Sequence, residues 1–174
     1  DSRRGDPEAA LASAPVKIDV TYTTPVEHHN PMEPHATIAL WEGDGDDKRL
    51  TVYSATQGIS NTSNALAKLF GLKPEQVRTI CPFVGGGFGC KGNTWPHVAL
   101  AAMVAEVVGR PVKLVLERRQ MFTSNGYRPQ TIQRVRLGAD SEGRLLALAH
   151  DGLTSMSHPA LGEFSEPVGL QSEM

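Results

Sequence analysis

Apolar and polar positions alternate through Val16–Thr24, with Val16, Ile18, Val20 and Tyr22 on one face, the period of a strand. Pro25, Pro31 and Pro34 follow, and three prolines forbid a helix through residues 25–34, which predicts an ordered loop carrying EHHNPMEPH. Residues 36–41 and 50–55 are apolar runs separated by the solvated EGDGDDKR, the pattern of a hairpin. Ile59, Leu66, Leu69 and Phe70 recur at helical spacing and predict a helix with one apolar stripe, capped near Ser60 or Asn61 and stopped by Gly71. A strand over residues 77–83 comes next. A second helix is then predicted, capped by Asn93 or Thr94, with Pro96 in its first turn and Gly109 at its end. Its residues 98–108 are apolar almost all the way round, which predicts burial on every side. Residues 112–116 read as a short strand and 117–123 as a turn or short helix. Residues 128–139 and 144–151 read as a hairpin joined by ADSEGR, with Arg134, Arg136 and Arg144 exposed. Residues 1–15, rich in Ala, Glu and Arg, read as a disordered segment or linker. The order of elements predicts an α+β fold, a mixed β-sheet with two main helices.

Between the strand at 77–83 and the helix that follows lies PFVGGGFGCKG. Gly85, Gly86, Gly87 and Gly89 occupy four of five consecutive positions there. Glycines bring backbone close to a ligand at an ordering cost of about 0.5–1 kcal/mol each relative to Ala. Such a run points to a ligand loop, although a flexible connection has the same composition. Gln57 stands at the other strand-to-helix junction with Gly58 behind it, where backbone N–H groups and the helix dipole favour an anionic or oxo group. Both junctions are at the end of a sheet where ligands usually lie.

Other chemistries fit less well. Gly87 to Gly92 satisfies G-x-G-x-x-G, yet Asn93, Thr94 and Pro96 start the helix after the third glycine, which in a dinucleotide fold lies inside it. A Walker A loop fails because Gly92 follows Lys91 in place of Ser or Thr. His28, His29, Glu33 and His35 resemble a metal cluster in composition, but Pro31 and Pro34 remove the helix that would align them, so ordered-loop residues are the simpler reading and a metal site the alternative. His158 has no identifiable partner, and no G-x-S-x-G marks a nucleophilic serine. Cys81 and Cys90, nine positions apart, lack C-x-x-C spacing and read as free buried thiols.

With Lys+Arg 17 against Asp+Glu 19 and no basic cluster interleaved with aromatics, nucleic acid is not an expected partner. The most apolar stretch, 11 residues at 98–108, is far short of a membrane span. At 174 residues the chain is long enough for a real core. No signal peptide is legible, leaving a cytoplasmic or periplasmic location open. The abrupt ends read as those of an excised piece of a longer polypeptide.

Four ordered blocks, MEPHATIALWEGD, TVYSATQG, FGLKPEQVRTICPFVGGGFGCKG and GRPVKLVLERRQMF, resemble the molybdenum-cofactor-binding large subunit of the xanthine dehydrogenase/aldehyde oxidase family, bacterial aldehyde oxidoreductases in particular. The likeness extends from about residue 16 into GEFSEPVGLQSEM. It implies a partial molybdopterin-binding domain over residues 16–154 and the truncated start of a further segment at 155–174. It also implies that Gln57 hydrogen-bonds an oxo ligand of molybdenum, that Gly58, Gly86, Gly87, Phe88 and Gly89 give the cofactor contacts, and that Met32 lines the substrate funnel. The cofactor implied is molybdopterin, as a cytosine dinucleotide, with molybdenum held by its dithiolene in the parent enzyme and absent from the isolated piece. Iron–sulfur and FAD-binding subunits are the implied partners, with a small-molecule aldehyde or heteroaromatic as substrate. Xanthine-oxidising members carry Glu where Gly92 stands, so the resemblance favours aldehydes over purines. The family's catalytic base is a glutamate late in a much longer subunit, so no catalytic residue is expected in this chain and no activity from it alone. The alternative is a stand-alone binding or scaffold module of the same fold, holding a partner subunit or a phosphate-bearing ligand.

Overall fold

A computed structural model describes residues 2–155 of the chain. The elements in chain order are α1 (Pro7–Ser13), β1 (Val16–Thr24), β2 (Ala36–Glu42), β3 (Arg49–Ser54), α2 (Ile59–Phe70), β4 (Val77–Ile80), α3 (Pro96–Val108), β5 (Val112–Val115), β6 (Thr131–Ala139) and β7 (Leu145–Thr154). Short 3₁₀ turns stand at Gly45–Asp47, Pro74–Gln76 and Arg118–Phe122. The class is α+β, as the sequence predicts, but its strands form two sheets in two compact units, residues 2–27 with 128–155 and His28–Tyr127. His158, the GEFSEPVGLQSEM block and all but the first residue of 155–174 lie outside the described residues.

The first unit is an antiparallel sheet in the order β1-β6-β7, with β1 paired to β6 without a break from Val16↔Ala139 to Thr24↔Thr131. Its opening residues are helical where composition reads as disorder. Asp6 Oδ1 accepts from the Ala9 amide at 3.3 Å and Pro7 sits at the first helical position, so α1 has a start signal. Seven residues would not hold alone. They hold because Leu11 and Ala14 are buried over Gly138, where a Cβ would lie 2.9 Å from that of Ala14. Lys17 Nζ reaches the Ala12 carbonyl, so α1 covers the Lys17 face of the sheet. The apolar face of β1 is the opposite one, and Val16, Ile18 and Tyr22 are half-exposed on it.

In the second unit the sheet order is β4-β3-β2-β5; β3 and β4 run parallel and the other pairs antiparallel. A parallel pair needs a crossover, and α2 supplies it. Ala39, Leu50, Val52 and Val77 from the sheet meet Leu66 and Ala67 of α2 and Val98, Ala101, Ala102 and Ala105 of α3 in one core. Alanine lets α3 approach closely enough for Trp41 Nε1 to donate to the Ala102 carbonyl at 2.8 Å. This choice also overturns the expectation of a fully buried helix. Small residues mark the packed face of α3, while Leu100, Met103 and Val107 are exposed, Val107 by 87%.

Helix α2 begins at Ile59 behind Gly58, without a side-chain cap, and turns Thr62, Leu66 and Ala67 inward. Ile59 and Leu69 of the expected stripe are exposed. Strand β4 ends three residues short of Phe83. Cys81 Sγ is instead bonded to the main chain of Thr56, accepting from its N–H and donating to its carbonyl, and Pro82 has no N–H to extend the ladder. Among the described residues no helix is long and apolar enough to cross a membrane.

Leu50→Ala, which empties a fully buried site, should cost about 2–5 kcal/mol in a urea titration of the chain. Val107→Ser should stay within about 0.5 kcal/mol of wild type.

Candidate functional site

Because β3 and β4 are parallel neighbours, with Tyr53 opposite Ile80, the segments that leave their C-terminal ends emerge side by side. One leads through Thr56, Gln57 and Gly58 into α2. The other is the glycine loop leading to α3. The two interlock through main chain. Gln57 N donates to the Lys91 carbonyl at 2.8 Å, and Thr56 Oγ1 donates to the same oxygen at 3.2 Å. In return, the amides of Gly89 and Lys91 donate to Gln57 Oε1 at 3.1 and 3.2 Å. The carbonyl end of the exposed Gln57 side chain is thus spent on the loop, and its NH₂ end faces away. Among the described residues neither Gln57 Nε2 nor the amides of Gly86 and Gly87 have an acceptor, though Gly87 is buried.

The loop holds this shape with three residues at positive φ, Gly86 at 89°, Phe88 at 58° and Gly89 at 100°. A non-glycine residue there is held by its surroundings against an intrinsic preference. Reverse turns from Cys90 N to the Gly87 carbonyl at 3.0 Å and from Gly92 N to the Gly89 carbonyl at 2.9 Å supply part of that grip. Gly87 is glycine for space: any Cβ would collide with the Gln57 carboxamide.

Beneath the loop sits a layer of polar groups, of which Lys91, His35, His97 and Cys90 are buried and Glu33 is partly exposed. Lys91 is fully buried, and its Nζ donates to Glu33 Oε2 at 2.6 Å. The same oxygen accepts from the Gly85 amide at 2.7 Å, while Glu33 N donates to the Gly85 carbonyl at 3.1 Å. Burial by itself raises the Glu33 carboxyl, but the Lys91 and Gly85 hydrogen bonds outweigh it and hold the group below the ordinary carboxylate value. Arg118 donates to the neighbouring carbonyls of Pro31 and Met32 at 2.8 and 2.7 Å, which fixes the loop that carries Glu33. Cys90 Sγ lies 3.4 Å from His35 Nε2, and the His35 ring lies against that of His97 at 4.7 Å. Burial first, then the proximity of His97 and Lys91, lowers His35 to about 3, and burial lowers His97 to about 4. Both rings are neutral at physiological pH. A groove of about 220 Å³ opens at the loop's N-terminal flank, lined in part by Glu33, Thr37, Tyr53, Cys81 and Phe83.

Of the residues singled out in the sequence, Gln57, Gly86, Gly87, Phe88 and Gly89 come together. Gly58 adjoins them, its amide turned back to Thr56 Oγ1 at 3.0 Å. The amide of Gly89 orients Gln57. Met32 is 91% exposed and lies next to Glu33. Three of the four residues of the composition-based metal cluster go to separate partners. His28 packs edge-on against Phe122, Glu33 binds Lys91, and His35 meets His97. Among the described residues no three His, Cys, Asp or Glu are placed to hold a metal. Both cysteines are free thiols. Helix α3 starts at Pro96, four residues after the G-x-G-x-x-G match. Sequence reasoning missed the roles of Lys91, Glu33 and Arg118. A lysine following so many glycines, with a glutamate between two prolines, was the available signal.

The chain matches the family model described as the molybdopterin cofactor-binding domain over residues 1–170. It is 41% identical over 174 residues to the aldehyde oxidoreductase molybdenum-binding subunit PaoC of Escherichia coli (strain K12), covering 100% of this chain and 23% of that protein. To the indole-3-acetaldehyde oxidase of Zea mays it is 33% identical over 153 residues, covering 87% and 11%. Among solved structures, the aldehyde oxidoreductase of Desulfovibrio gigas superposes with a TM-score of 0.77 at 30% identity, covering 87% of this chain and 16% of that one. The chain therefore spans under a quarter of the length of the curated relatives it matches.

Both histidines have folded values below their ordinary value of 6.5, so the unfolded chain binds more protons and stability falls as pH drops from 6.5 towards 4. Glu33 acts in the same direction, its contribution complete above 4.5 and lost as pH falls through its lower folded value. Thermal melts across this range should show that decline, and His97→Phe should flatten it between pH 6.5 and 4.

Proposed function

The chain belongs to the molybdopterin cofactor-binding domain family, within the molybdenum-binding subunits of the xanthine dehydrogenase/aldehyde oxidase group, and from this membership and the loop's unmet donors we propose that it forms one wall of a molybdenum hydroxylase's cofactor site. The observation that carries the reading is the set of three donors that have no acceptor among the described residues: Gln57 Nε2 and the amides of Gly86 and Gly87. A cofactor phosphate and a metal–oxo group are acceptors only, so an array of donors suits them and a cation would not. The buried Gly87 strengthens the case, since an N–H shielded from water carries a standing cost that a bound acceptor removes.

Gln57 would donate through Nε2 to an oxo ligand, with Gly86, Gly87 and Phe88 supplying the main-chain cradle and Gly89 holding Gln57 in orientation. Gly58 places the N-terminus of α2 beside them. No side chain of the site would ligate the metal, because molybdopterin supplies the dithiolene ligation along with the two-electron chemistry of molybdenum. Met32, fully outside the packed layer, would contact substrate on its way in. We extend the reading to the complete enzyme: hydroxylation of an aldehyde or heteroaromatic carbon, a cytosine dinucleotide form of the cofactor, and iron–sulfur and FAD-binding subunits to carry electrons away. The aldehyde oxidoreductase name of the 41% identical relative supports aldehydes, as does Gly92 in place of a glutamate.

The test is metal and pterin analysis of the complete polypeptide expressed with cofactor biosynthesis intact. Molybdenum and pterin should be present in equal amounts, and finding neither overturns the proposal. Gly87→Val in the same protein should lose most of both, because the added side chain displaces the Gln57 carboxamide; unchanged molybdenum content would remove the loop from the site.

A further inference from the structure

Lys91 is held at three atoms by four bonds. Its carbonyl accepts from Gln57 N at 2.8 Å and from Thr56 Oγ1 at 3.2 Å, its amide donates to Gln57 Oε1 at 3.2 Å, and its ammonium donates to Glu33 Oε2 at 2.6 Å. The first two bonds hold the Lys91 main chain beside Gln57, and the third, together with the Gly89 amide at 3.1 Å, fixes the polarity of an otherwise exposed carboxamide. Were it flipped, its NH₂ would face the N–H groups of Gly89 and Lys91, donor against donor, and its oxygen would face outward. The fourth bond keeps the main chain of Lys91 where the other three need it. A fully buried ammonium is tolerable only beside a counter-charge, so without Glu33 the side chain must leave and draw its backbone along. Glu33 also grips Gly85 at the other end of the loop through two hydrogen bonds, which makes one residue the anchor of both ends.

We propose that Lys91 and Glu33 form a positioning pair that sets the orientation of Gln57, turning its NH₂ towards the ligand and its oxygen towards the loop. The proposal rests on the reading of Gln57 as a donor to the cofactor. Neither residue touches the ligand; both act through the Gly89 and Lys91 amides.

The experiment is a double-mutant cycle in the complete holoenzyme, comparing wild type, Gln57→Ala, Lys91→Met and the double variant. Two readouts are used: the rate at which molybdenum is lost on dialysis, and hydrogen exchange at the Gly89 amide. Each single variant should lose molybdenum about tenfold faster, the scale of one charge-assisted hydrogen bond. The double variant should lose it no faster than Gln57→Ala alone, since the pair acts through Gln57. Gly89 exchange should rise in Lys91→Met, and Lys91→Arg should restore retention in part. If Lys91→Met does not fold, Glu33→Gln, nearly isosteric and neutral, takes its place in the same cycle. Multiplying losses would mean that the pair acts only on general stability and would overturn the proposal. So would wild-type retention in both Lys91→Met and Glu33→Gln while Gln57→Ala loses metal quickly. Wild-type retention in Gln57→Ala itself would overturn the donor reading, and this inference with it.

Discussion

An ammonium group in a protein interior imposes a condition on everything around it: a counter-charge must lie within contact and must itself be held. Lys91 meets that condition through Glu33, and Glu33 meets it through a loop whose carbonyls are pinned by Arg118. The chain of constraint then runs outward, from the ion pair to the ends of the glycine loop, from the loop amides to Gln57, and from Gln57 to the donors left facing outward. A glycine-rich segment with four flexible positions acquires one shape because the layer beneath it allows no other. The sheet contributes the remaining condition, since only a parallel β3–β4 pair brings both strand-to-helix junctions to the same edge.

How much of this is legible in the sequence depends on whether the signal is local. Strand periodicity, the EGDGDDKR turn and the glycines after α2 and α3 are local, and the elements they predict are present. Expectations miss where tertiary burial decides. Leu11 and Ala14 make a helix of an unpromising opening segment only because Gly138, more than a hundred residues away, leaves room for them. Val98, Ala101, Ala102 and Ala105, and not the larger Leu100 or Met103, mark the buried face of α3, because close approach to a sheet rewards small side chains. For the site, the glycine run and Gln57 are readable from their junction positions. Glu33 and Lys91 are not, since 58 residues separate them and each has an ordinary surface reading when seen alone.

The exposed apolar side chains of α3, the loop and β1 share a common meaning. Phe83, Phe88 and Met32 stand around the candidate site, while Leu100, Met103 and Val107 stand on α3 and Val16, Ile18 and Tyr22 on β1. Apolar surface of this extent marks faces on which another segment or protein can pack.

The donors offered by this site belong mostly to the main chain, which gives its chemistry an unusual relation to mutation. An amide N–H is present whatever residue carries it, proline aside, so the genetic code has little power to remove the Gly86 or Gly87 donors by altering functional groups; it mostly adds bulk that moves them. Substitutions along the loop therefore report on volume, while those that report on charge lie one layer down, at Glu33 and Lys91. Side-chain diversity at Met32, which is free of packing, can then accumulate without disturbing the glycine loop. The fold separates a side chain that can vary freely from a main-chain array that cannot.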